Sequence, residues 1–504
     1  MSSRASNKAR CLAVLGTGSD VGKSIVATAL CRILADRGVR VCPFKAQNMS
    51  NNSGVTPEGL EMGRAQIVQA EAARIPPHVD MNPVLLKPVT DLGSQVVVLG
   101  RARETMSASD YWRTKADLSG EAKRALDRLR REYECVILEG AGSCAEVNLM
   151  ARDMVNLNMA RHAGAPAVLV ADIHRGGVFA QIVGTLDCLS PSRRERIAGF
   201  VVNRFRGDLS LFAPGVRWIE RKTRKPVFGL LPHKPDLIIE SEDSVAIESP
   251  PAPPPGKVPA PSVGIIRLPH ISNFTDFDAL ARVEGLHVFF LEKPQNLSPF
   301  RAVILPGSKS TRHDLDWLVR TGWKEALLRF QEGGGHVLGI CGGFQMLGEA
   351  VEDPQGLEGL PGASTGLGLL PVWTRLCAPK TTTLTRFSLK GQEGRGYEIH
   401  MGRTELCGGD AWLEVLSRNQ EPVSGRDGCV SGSGRVTGTY IHGLFDSPGI
   451  LSAWLEGLGL ENLPVPALGG PEARDRQYDL LAEHFTQHVD VEAILRAMEK
   501  GAGK

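Results

Sequence analysis

The chain has 504 residues, of which 42% are hydrophobic and 23% are charged, and its formal net charge is +2. These values are typical of a globular protein, and the length predicts two or three domains because single cores rarely grow beyond about 300 residues. The near-neutral charge gives no basic excess for nucleic acid, and no apolar stretch suggests a signal peptide or a membrane span. The ten cysteines are scattered singly, without the spacing of a zinc site or a disulfide framework. We therefore expect a reducing, cytoplasmic setting and neither a nucleic-acid nor a membrane partner.

The N-terminal part alternates short apolar runs with helical patterns. The runs are CLAVLG, CVILEG, AVLVAD and GFVVNR, and the helical patterns cover residues 24–36 and 120–131. Alternation of this kind predicts an α/β domain in which helices wrap a parallel sheet, and we place it over residues 1–248. The next segment, residues 249–262, has the sequence SPPAPPPGKVPAPS. Because a segment so dense in proline neither continues a helix nor pairs in a sheet, we predict an extended linker there.

The same alternation restarts after the linker. Its apolar runs are SVGIIRL, HVFFLE, AVILPG and HVLGIC, and one helix is predicted over residues 317–332. We therefore predict a second α/β domain over residues 263–450. Residues 451–504 are predicted to form a C-terminal helical tail, with helices over residues 478–488 and 491–500.

A glycine-rich loop with the sequence GTGSDVGKS, residues 16–24, connects the first apolar run to a helical pattern. This is the context of a phosphate-binding loop, whose backbone N–H groups turn towards phosphate oxygens at the positive end of the helix. In this interpretation Lys23 neutralises the β- and γ-phosphates, and the Ser24 hydroxyl ligates Mg²⁺. The residues predicted to bind ATP in this loop are Gly18, Asp20, Val21, Gly22, Lys23 and Ser24. The alternative is a glycine-rich turn in which the lysine occurs by chance.

Four polar residues at or after the ends of apolar runs are further candidates around the nucleotide. Lys45, in PFKAQNMSNNS, lies where an ammonium could reach a transferred phosphate. Glu139 ends CVILE and could hold Mg²⁺, and Asp172 at the end of AVLVAD is a second candidate for the same role. We favour Glu139 because the Gly-Ala-Gly after it lets the backbone approach a ligand closely. Asn203 could read the nucleotide base or could simply form a turn.

The stretch HVLGICGGFQMLG, residues 336–348, predicts an apolar strand, a sharp turn and the start of a helix. Cys341 on this turn has glycines close by on both sides, which is the arrangement of a nucleophile elbow with sulfur in place of oxygen. The helix N-terminus favours a thiolate, so Cys341 is predicted to attack a carbonyl carbon near neutral pH. The backbone N–H groups of Gly342 and of Gly307, in LPGSK, are predicted to hold the oxyanion. The alternative is a buried cysteine that only packs in a core.

A cysteine nucleophile needs a base, and His442 in GTYIHGLF is the first candidate, at a strand end before a glycine. His400, in GYEIHMG, is the rival, and either residue could instead be a hydrogen-bonded core histidine. The order of strand, cysteine elbow and later histidine resembles the class I glutamine amidotransferases, which implies a flavodoxin-like domain with His442 as the base. Those enzymes usually carry glutamate two residues after the histidine, where this chain has Leu444. We name Glu398 as a substitute for that third residue.

Longer motifs along the chain resemble one family. The first glycine of GTGSDVGKS lies one residue farther upstream than the standard spacing, and in this the loop resembles that of the dethiobiotin synthetases. With PFKAQNMSNNS, EMGRAQIVQA, MNPVLLKP, LPGSKST, GYEIHMG and a glutaminase stretch that lacks His-x-Glu, the chain is identified as a member of the corrinoid amidases of the cobalamin pathway. These motifs are more similar to those of the cobyric acid synthases than to those of the cobyrinic acid a,c-diamide synthases.

This resemblance implies a ligase that uses ATP and glutamine to amidate carboxylates b, d, e and g of adenosylcobyrinic a,c-diamide, giving adenosylcobyric acid. It implies ATP and Mg²⁺ as cofactors, glutamine, ATP and the corrinoid as small-molecule partners, and no obligate protein partner. Ammonia released at Cys341 would attack a phosphorylated carboxylate. The alternatives are an a,c-diamide synthase and, from another class, a nucleotide-dependent regulatory ATPase with an inactive glutaminase domain. The polar stretch 47–52 could contact the corrin rim or could only form turns.

Overall fold

The computed structural model describes residues 8–90, 93–240 and 258–502. Its N-terminal part contains twelve strands, namely β1 Arg10–Gly16, β2 Val41–Phe44, β3 Gln47–Met49, β4 Ser53–Val55, β5 Glu61–Gly63, β6 Val84–Thr90, β7 Gly93–Val98, β8 Arg101–Ser107, β9 Cys135–Glu139, β10 Ala167–Asp172, β11 Ile197–Phe205 and β12 Val227–Pro232. Its helices are α1 Lys23–Asp36, α2 Arg64–Ala72, α3 Ala108–Glu132, α4 Leu157–Ala163, α5 Val178–Cys188, α6 Pro191–Arg196 and α7 Ala213–Thr223.

A six-stranded parallel sheet in the order β12-β11-β10-β1-β9-β2 organises this part. Side chains of β1 alternate between two cores, with Leu12 and Val14 on one face and Ala13 and Leu15 on the other. Because both faces are covered, its strands are continuous apolar runs, as predicted. The strand order reverses around β1, and ligand crevices form beyond the carboxyl ends of strands at such a point. The loop of residues 16–24 begins there.

Smaller sheets extend this domain towards the rest of the chain. Strands β3, β6, β7 and β8 form a four-stranded sheet, and β4 and β5 form an antiparallel pair. The polar stretch that follows β2 therefore enters local strands rather than an irregular loop.

The C-terminal part contains the strands β13 Ser262–Ile266, β14 Ile271–Ser272, β15 His287–Leu291, β16 Ala302–Leu305, β17 Gly307–Ser308, β18 His336–Ile340, β19 Ala350–Asp353, β20 Gly362–Thr365, β21 Val372–Arg375, β22 Thr381–Leu389, β23 Gln392–His400, β24 Arg403–Leu406, β25 Leu413–Arg418, β26 Glu421–Asp427, β27 Cys429–Val430 and β28 Val436–Thr439. The helices are α8 Asp278–Ala281, α9 Thr311–Thr321, α10 Trp323–Glu332, α11 Gly342–Leu347, α12 Pro448–Gly457, α13 Gly470–His488 and α14 Val491–Ala502.

A second parallel sheet runs β15-β13-β16-β18-β28, with the antiparallel strand β27 at its edge. Numbered along the chain, its parallel strands follow the order 2-1-3-4-5 of flavodoxin-like sheets. The prediction of a flavodoxin-like second domain is therefore confirmed. Two four-stranded sheets, β20-β19-β21-β24 and β23-β22-β25-β26, are added to it.

The prediction of a single helix over residues 317–332 is wrong. Two helices, α9 and α10, occupy this region and meet at Gly322, whose φ of 89° ends the first of them. Left-handed glycine is a common way to end a helix, and the sequence pattern around it remained helical on both sides.

The three C-terminal helices α12, α13 and α14 pack against different domains. Helix α12 packs in the second domain through Leu451 and Trp454. Helices α13 and α14 cover a face of the first sheet instead, where Phe485 and Ile494 share a core with Leu30 of α1. The chain therefore returns to its first domain after completing the second.

Of the predicted linker 249–262, residues 249–257 lie outside the described residues. Among the helices of the described ranges, none combines the length and the apolar character needed to span a bilayer.

Candidate functional site

The loop of residues 16–24 is folded around the side chain of Lys23. Gly22 has a φ of 96°, and a Cβ there would lie 1.9 Å from the side-chain nitrogen of Asn203, so glycine is required. Lys23 Nζ donates to the carbonyl oxygens of Gly18 at 2.8 Å and Gly142 at 3.1 Å. These contacts keep the ammonium at the N-terminal end of α1, where loop N–H groups and the helix dipole favour phosphate.

The carboxylate of Glu139 is the centre of a buried polar cluster beside this loop. Its Oε1 accepts hydrogen bonds from Ser24 Oγ at 2.9 Å and Lys45 Nζ at 3.1 Å, and its Oε2 accepts one from the Gln69 amide. Burial raises the pKa of Glu139, but the Lys45 ammonium and these donors outweigh burial and hold the pKa below its ordinary value. Glu139 is therefore an anion beside a hydroxyl, and carboxylate and hydroxyl oxygens fit the ligand preference of Mg²⁺.

Asn203 and Asp172 have partners of their own around the same loop. Asn203 Nδ2 donates to the Val21 carbonyl oxygen at 2.9 Å, so its amide braces the phosphate loop. Asp172 accepts from the Arg204 guanidinium at 3.0 Å, and the same guanidinium binds Asp20 at 2.8 Å. Asp172 thus acts on the loop through a guanidinium, whereas the Glu139 carboxylate binds the loop hydroxyl directly.

A cavity of ≈ 640 Å³ opens over the loop, and we call it the phosphate cavity. The predicted nucleotide-site residues in its walls are Asp20, Gly22, Lys23, Ser24 and Lys45. The structure thus brings together the loop and the lysine predicted from separate stretches of sequence.

Cys341 lies on a tight turn between β18 and α11. Its φ of 53° and ψ of −110° are uncommon for a residue with a side chain, and such strain collects at functional sites. Gly343 allows the turn to approach the end of β16, since a Cβ there would lie 1.9 Å from the Leu305 carbonyl oxygen. The thiol is buried, with its Sγ 3.6 Å from the Ile399 carbonyl oxygen.

His442 is close to Cys341 because β28 and β18 are paired neighbours. Its Nδ1 lies 2.7 Å from Asp276 Oδ2, and the ring is fully buried. Burial lowers the pKa of His442, but the negative charges of Asp276 and of a Cys341 thiolate outweigh burial and raise the pKa to about 10. Among the described residues, His442 Nε2 has no hydrogen-bond partner. The Cys341 sulfur lies close enough to contribute to the raised pKa of His442. The three side chains form a Cys-His-Asp arrangement suited to acyl transfer.

Asp276, rather than the expected Glu398, orients His442. The Glu398 carboxylate instead accepts hydrogen bonds from Thr385 Oγ1 at 2.8 Å and Arg418 Nε at 3.0 Å. The naming of Glu398 as the substitute was therefore wrong, and the third residue comes from a segment 166 positions away from His442. The aspartate follows the first strand of the second sheet, and its position at that sheet's carboxyl edge is the signal that could have indicated it.

His400, the rival base, has a different environment. Its ring stacks on Tyr440 with centroids 3.7 Å apart, and its Nε2 lies 3.5 Å from Glu398. The structure therefore pairs His400 with Glu398, the residue that had been expected to orient His442.

The two candidate oxyanion donors lie on turns that meet at Cys341. A Cβ on Gly342 would lie 2.8 Å from the backbone nitrogen of Ser308, and one on Gly307 would lie 3.1 Å from His442 Cε1. Ser308 Oγ donates to the buried Asp314 carboxylate at 2.7 Å, which fixes the turn after β16. The turns that carry Gly307 and Gly342 are thus packed against each other and against His442 around the Cys341 thiol.

The segment that carries Asp276 also contacts the first domain. Asn273, in the segment that carries the triad aspartate, has a φ of 51°, and its Oδ1 accepts the Ser53 N–H at 3.0 Å. Close by, the buried Glu61 carboxylate binds Lys87 and Lys380, each at 2.7 Å. Burial raises the pKa of Glu61, but these two ammonium groups hold it well below its ordinary value. A buried hydrogen bond and a buried ion cluster therefore join the domains beside the triad.

Two family models match the sequence. Residues 12–245 match the CobQ/CobB/MinD/ParA nucleotide binding domain, and residues 262–450 match the CobB/CobQ-like glutamine amidotransferase domain. A structure described as a crystal structure of glutamine amidotransferase is 20% identical, with a TM-score of 0.30, over 39% of this chain and 98% of that one.

Several curated proteins named cobyric acid synthase are similar over nearly the whole chain. One from Chlorobium phaeobacteroides strain BS1 is 49% identical, over 98% of this chain and 100% of its own length. Another from Chlorobaculum tepidum is 49% identical, over 96% of this chain and 97% of its own. A third from Syntrophobacter fumaroxidans is 47% identical, over 97% and 98% respectively.

Proposed function

The chain belongs to the cobyric acid synthase family, whose members are glutamine-dependent amide-forming ligases of cobalamin biosynthesis, and we propose its substrates and mechanism from this premise. The acceptor is adenosylcobyrinic a,c-diamide, whose carboxylates b, d, e and g are amidated with ATP and glutamine to give adenosylcobyric acid. The reaction takes place in the cytoplasm. Identity of nearly half the residues along the full length supports this acceptor over that of the related a,c-diamide synthases.

The phosphate loop activates the acceptor. A carboxylate is a poor acyl donor until one of its oxygens becomes part of a phosphate leaving group, so that oxygen attacks the γ-phosphorus of ATP and ADP leaves. Lys23 and Lys45 neutralise charge on the transferred phosphoryl group from two sides. When bound, Mg²⁺ neutralises the β- and γ-phosphates, and Ser24 and Glu139 would hold it.

The second site releases ammonia from glutamine. The Cys341 thiolate attacks the amide carbon, the N–H groups of Gly342 and Gly307 hold the oxyanion, and His442 donates a proton to the departing ammonia. Water deprotonated by His442 then cleaves the thioester to glutamate. Asp276 keeps the ring oriented and stabilises the imidazolium throughout.

The two half-reactions are joined when ammonia attacks the acyl-phosphate carbon and inorganic phosphate leaves. At neutral pH most ammonia in water is the non-nucleophilic ammonium ion, so we propose a protected path between the domains. The buried hydrogen bond between Ser53 and Asn273 joins the first domain to the segment that carries the triad aspartate. Absence of free ammonia during coupled turnover would support such a path, and its release in stoichiometric excess would contradict it.

The proposal rests on one observation. A Cys-His-Asp centre and a phosphate loop supported by Lys45 and Glu139 occur in the same chain. The test compares the unchanged protein with Cys341→Ala by product mass after incubation with ATP, Mg²⁺ and the acceptor. We expect four amides with glutamine for the unchanged protein, and for the variant only with added ammonium. If the folded, unchanged protein yields no amidated corrinoid, the assignment of the acceptor is refuted. Measurable glutaminase turnover would exclude the alternative of a regulatory ATPase with an inactive glutaminase domain.

A further inference from the structure

A second cavity lies beside the phosphate cavity, and the mechanism above does not use it. It has a volume of ≈ 790 Å³ and lies between α3 and the segment that leads into α4. The two cavities share Lys115, Asp153 and Met154 in their walls. Both volumes fall within the range of about 300–1,000 Å³ typical of ligand sites, so the pair can hold two ligands side by side.

The second cavity is strongly positive. Its cationic wall residues are Arg113, Lys115, Lys123, Arg152 and Arg161. Apart from Arg113, which pairs with Asp110, none of them forms an ion pair with another described residue. The carboxylate in the wall, Asp153, is already occupied by the backbone N–H groups of Val155 and Asn156 at 3.0 and 2.9 Å. With Arg113 paired, four cations share this wall with the single carboxylate of Asp153, so the cavity keeps a net positive charge.

The indole ring of Trp112 organises two of these cations. The Arg152 guanidinium carbon lies 4.9 Å from a ring centroid of Trp112, and Lys115 Nζ lies 5.3 Å from one. Cation–π contacts of this kind position a cation while leaving its N–H donors unused. Burial and the nearby Arg152 lower the pKa of Lys115, with Asp153 opposing them, so an anion bound there would be stabilised by an incompletely solvated ammonium.

We infer that this cavity, defined by Trp112, Lys115, Lys123, Arg152 and Arg161 and called the basic groove, binds carboxylates of the acceptor while another carboxylate of the same molecule reacts at the phosphate loop. The inference rests on the proposed function, whose acceptor is a macrocycle with several carboxylates on its rim. Charge complementarity supports it, since a polyanion meets an excess of cations next to the site of phosphoryl transfer.

Apolar surface on the neighbouring cavity completes the match to a macrocycle. Met49 and Leu149 line the phosphate cavity, yet 53% and 40% of their surfaces are exposed. Exposed large apolar side chains beside polar ones are typical of surfaces that receive a ligand with an apolar face. Because each amidation removes one negative charge, the groove would hold the starting acceptor more tightly than the finished product.

The test removes cations from the groove and measures each substrate separately. Lys115→Gln and Arg152→Gln are expected to raise the acceptor KM about tenfold or more, since each loses a charged hydrogen-bond partner. In Arg152→Gln, which lies outside the phosphate cavity, the KM values for ATP and glutamine and the glutaminase turnover should remain unchanged. In both variants the effect on the acceptor KM should shrink for acceptors that already carry several amides. Arg124→Gln is the matched control, because Arg124 is an exposed cation on the same helix α3 and outside both cavities.

The outcomes separate the groove from the proposed function. If the unchanged enzyme amidates the acceptor and the groove variants have the same acceptor KM as Arg124→Gln, the groove inference is overturned and the proposed function stands. If the folded, unchanged enzyme makes no amide, both the groove inference and the proposed function are refuted. Should Lys115→Gln fail to fold, Lys123→Gln and Arg161→Gln at exposed positions provide the same test, with calorimetric binding of starting acceptor against finished product as a second measurement.

Discussion

Replacing Asp276 by asparagine separates the orientation of His442 from its presence. The substitution keeps the shape of the side chain but removes the charge that faces Nδ1 at 2.7 Å in a fully buried site. Removing one partner of a buried charged pair costs about 3–5 kcal/mol. At about 1.4 kcal/mol for each factor of ten, we expect kcat/KM for glutamine to fall roughly a hundredfold to several thousandfold.

The pH profile provides a second readout of the same substitution. With Asp276 in place, the pKa of His442 is raised from 6.5 to about 10, so the imidazolium persists through neutral pH. The stabilisation that this pair gives to the fold is complete below pH 6.5 and is lost as the pH rises through about 10. In Asp276→Asn the pKa falls, and the alkaline limb of the glutaminase profile should move to lower pH.

Amide formation should be assayed with glutamine and, separately, with ammonium chloride. Asp276→Asn should lose the glutamine-dependent reaction and retain the ammonia-dependent one, because the phosphate cavity is untouched. Asp278→Asn is the matched control, as it lies in the same buried segment without a hydrogen bond to His442 in the described structure. Near-normal glutaminase activity in Asp276→Asn, or an equal loss with both nitrogen sources, would refute the assignment of the triad.

Other substitutions test the phosphate loop and the domain contact. Glu139→Gln removes the carboxylate charge that Ser24 and Lys45 bind beside the phosphate loop. Amidation should therefore fall at least a hundredfold with either nitrogen source while glutaminase turnover persists, and a parallel loss of both activities would contradict separate sites. Glu61→Gln removes the common partner of Lys87 and Lys380, and we expect the free energy of unfolding at pH 7 to fall by about 3–5 kcal/mol in chemical denaturation. Because the pKa of Glu61 is depressed on folding, its contribution should be complete above its unfolded pKa and should disappear as the pH falls through the folded value. An unchanged denaturation midpoint in Glu61→Gln would show that the cluster does not stabilise the domain contact.

Local features of the sequence predicted the strand, turn and helix around Cys341 and around Lys23. Cys341 lies between the apolar strand β18 and helix α11, and Lys23 begins helix α1 after β1 and its loop. In both cases adjacent residues along the chain build the local geometry. Apolar alternation likewise predicted both parallel sheets, because strands buried on two faces must be apolar throughout. These predictions needed no knowledge of which distant segments meet.

Contacts between distant segments could not be predicted in the same way. Asp276 reaches His442 because the loops after two strands of one sheet converge, and this follows from strand order rather than from spacing. The sequence predicted a helical C-terminal tail, but it did not show that Phe485 would pack against the first domain. Gly322 interrupts a continuous helical pattern by its backbone conformation alone.

Transfer of labelled nitrogen tests the central claim most directly. The folded, unchanged protein would be incubated with the acceptor, ATP, Mg²⁺ and glutamine labelled with ¹⁵N in its amide group, in the presence of excess unlabelled ammonium, and the product masses would be measured. The account predicts that each new amide carries ¹⁵N, because ammonia passes from Cys341 to the activated carboxylate within one molecule. Products that carry mainly unlabelled nitrogen would contradict the account and show that the two sites work independently.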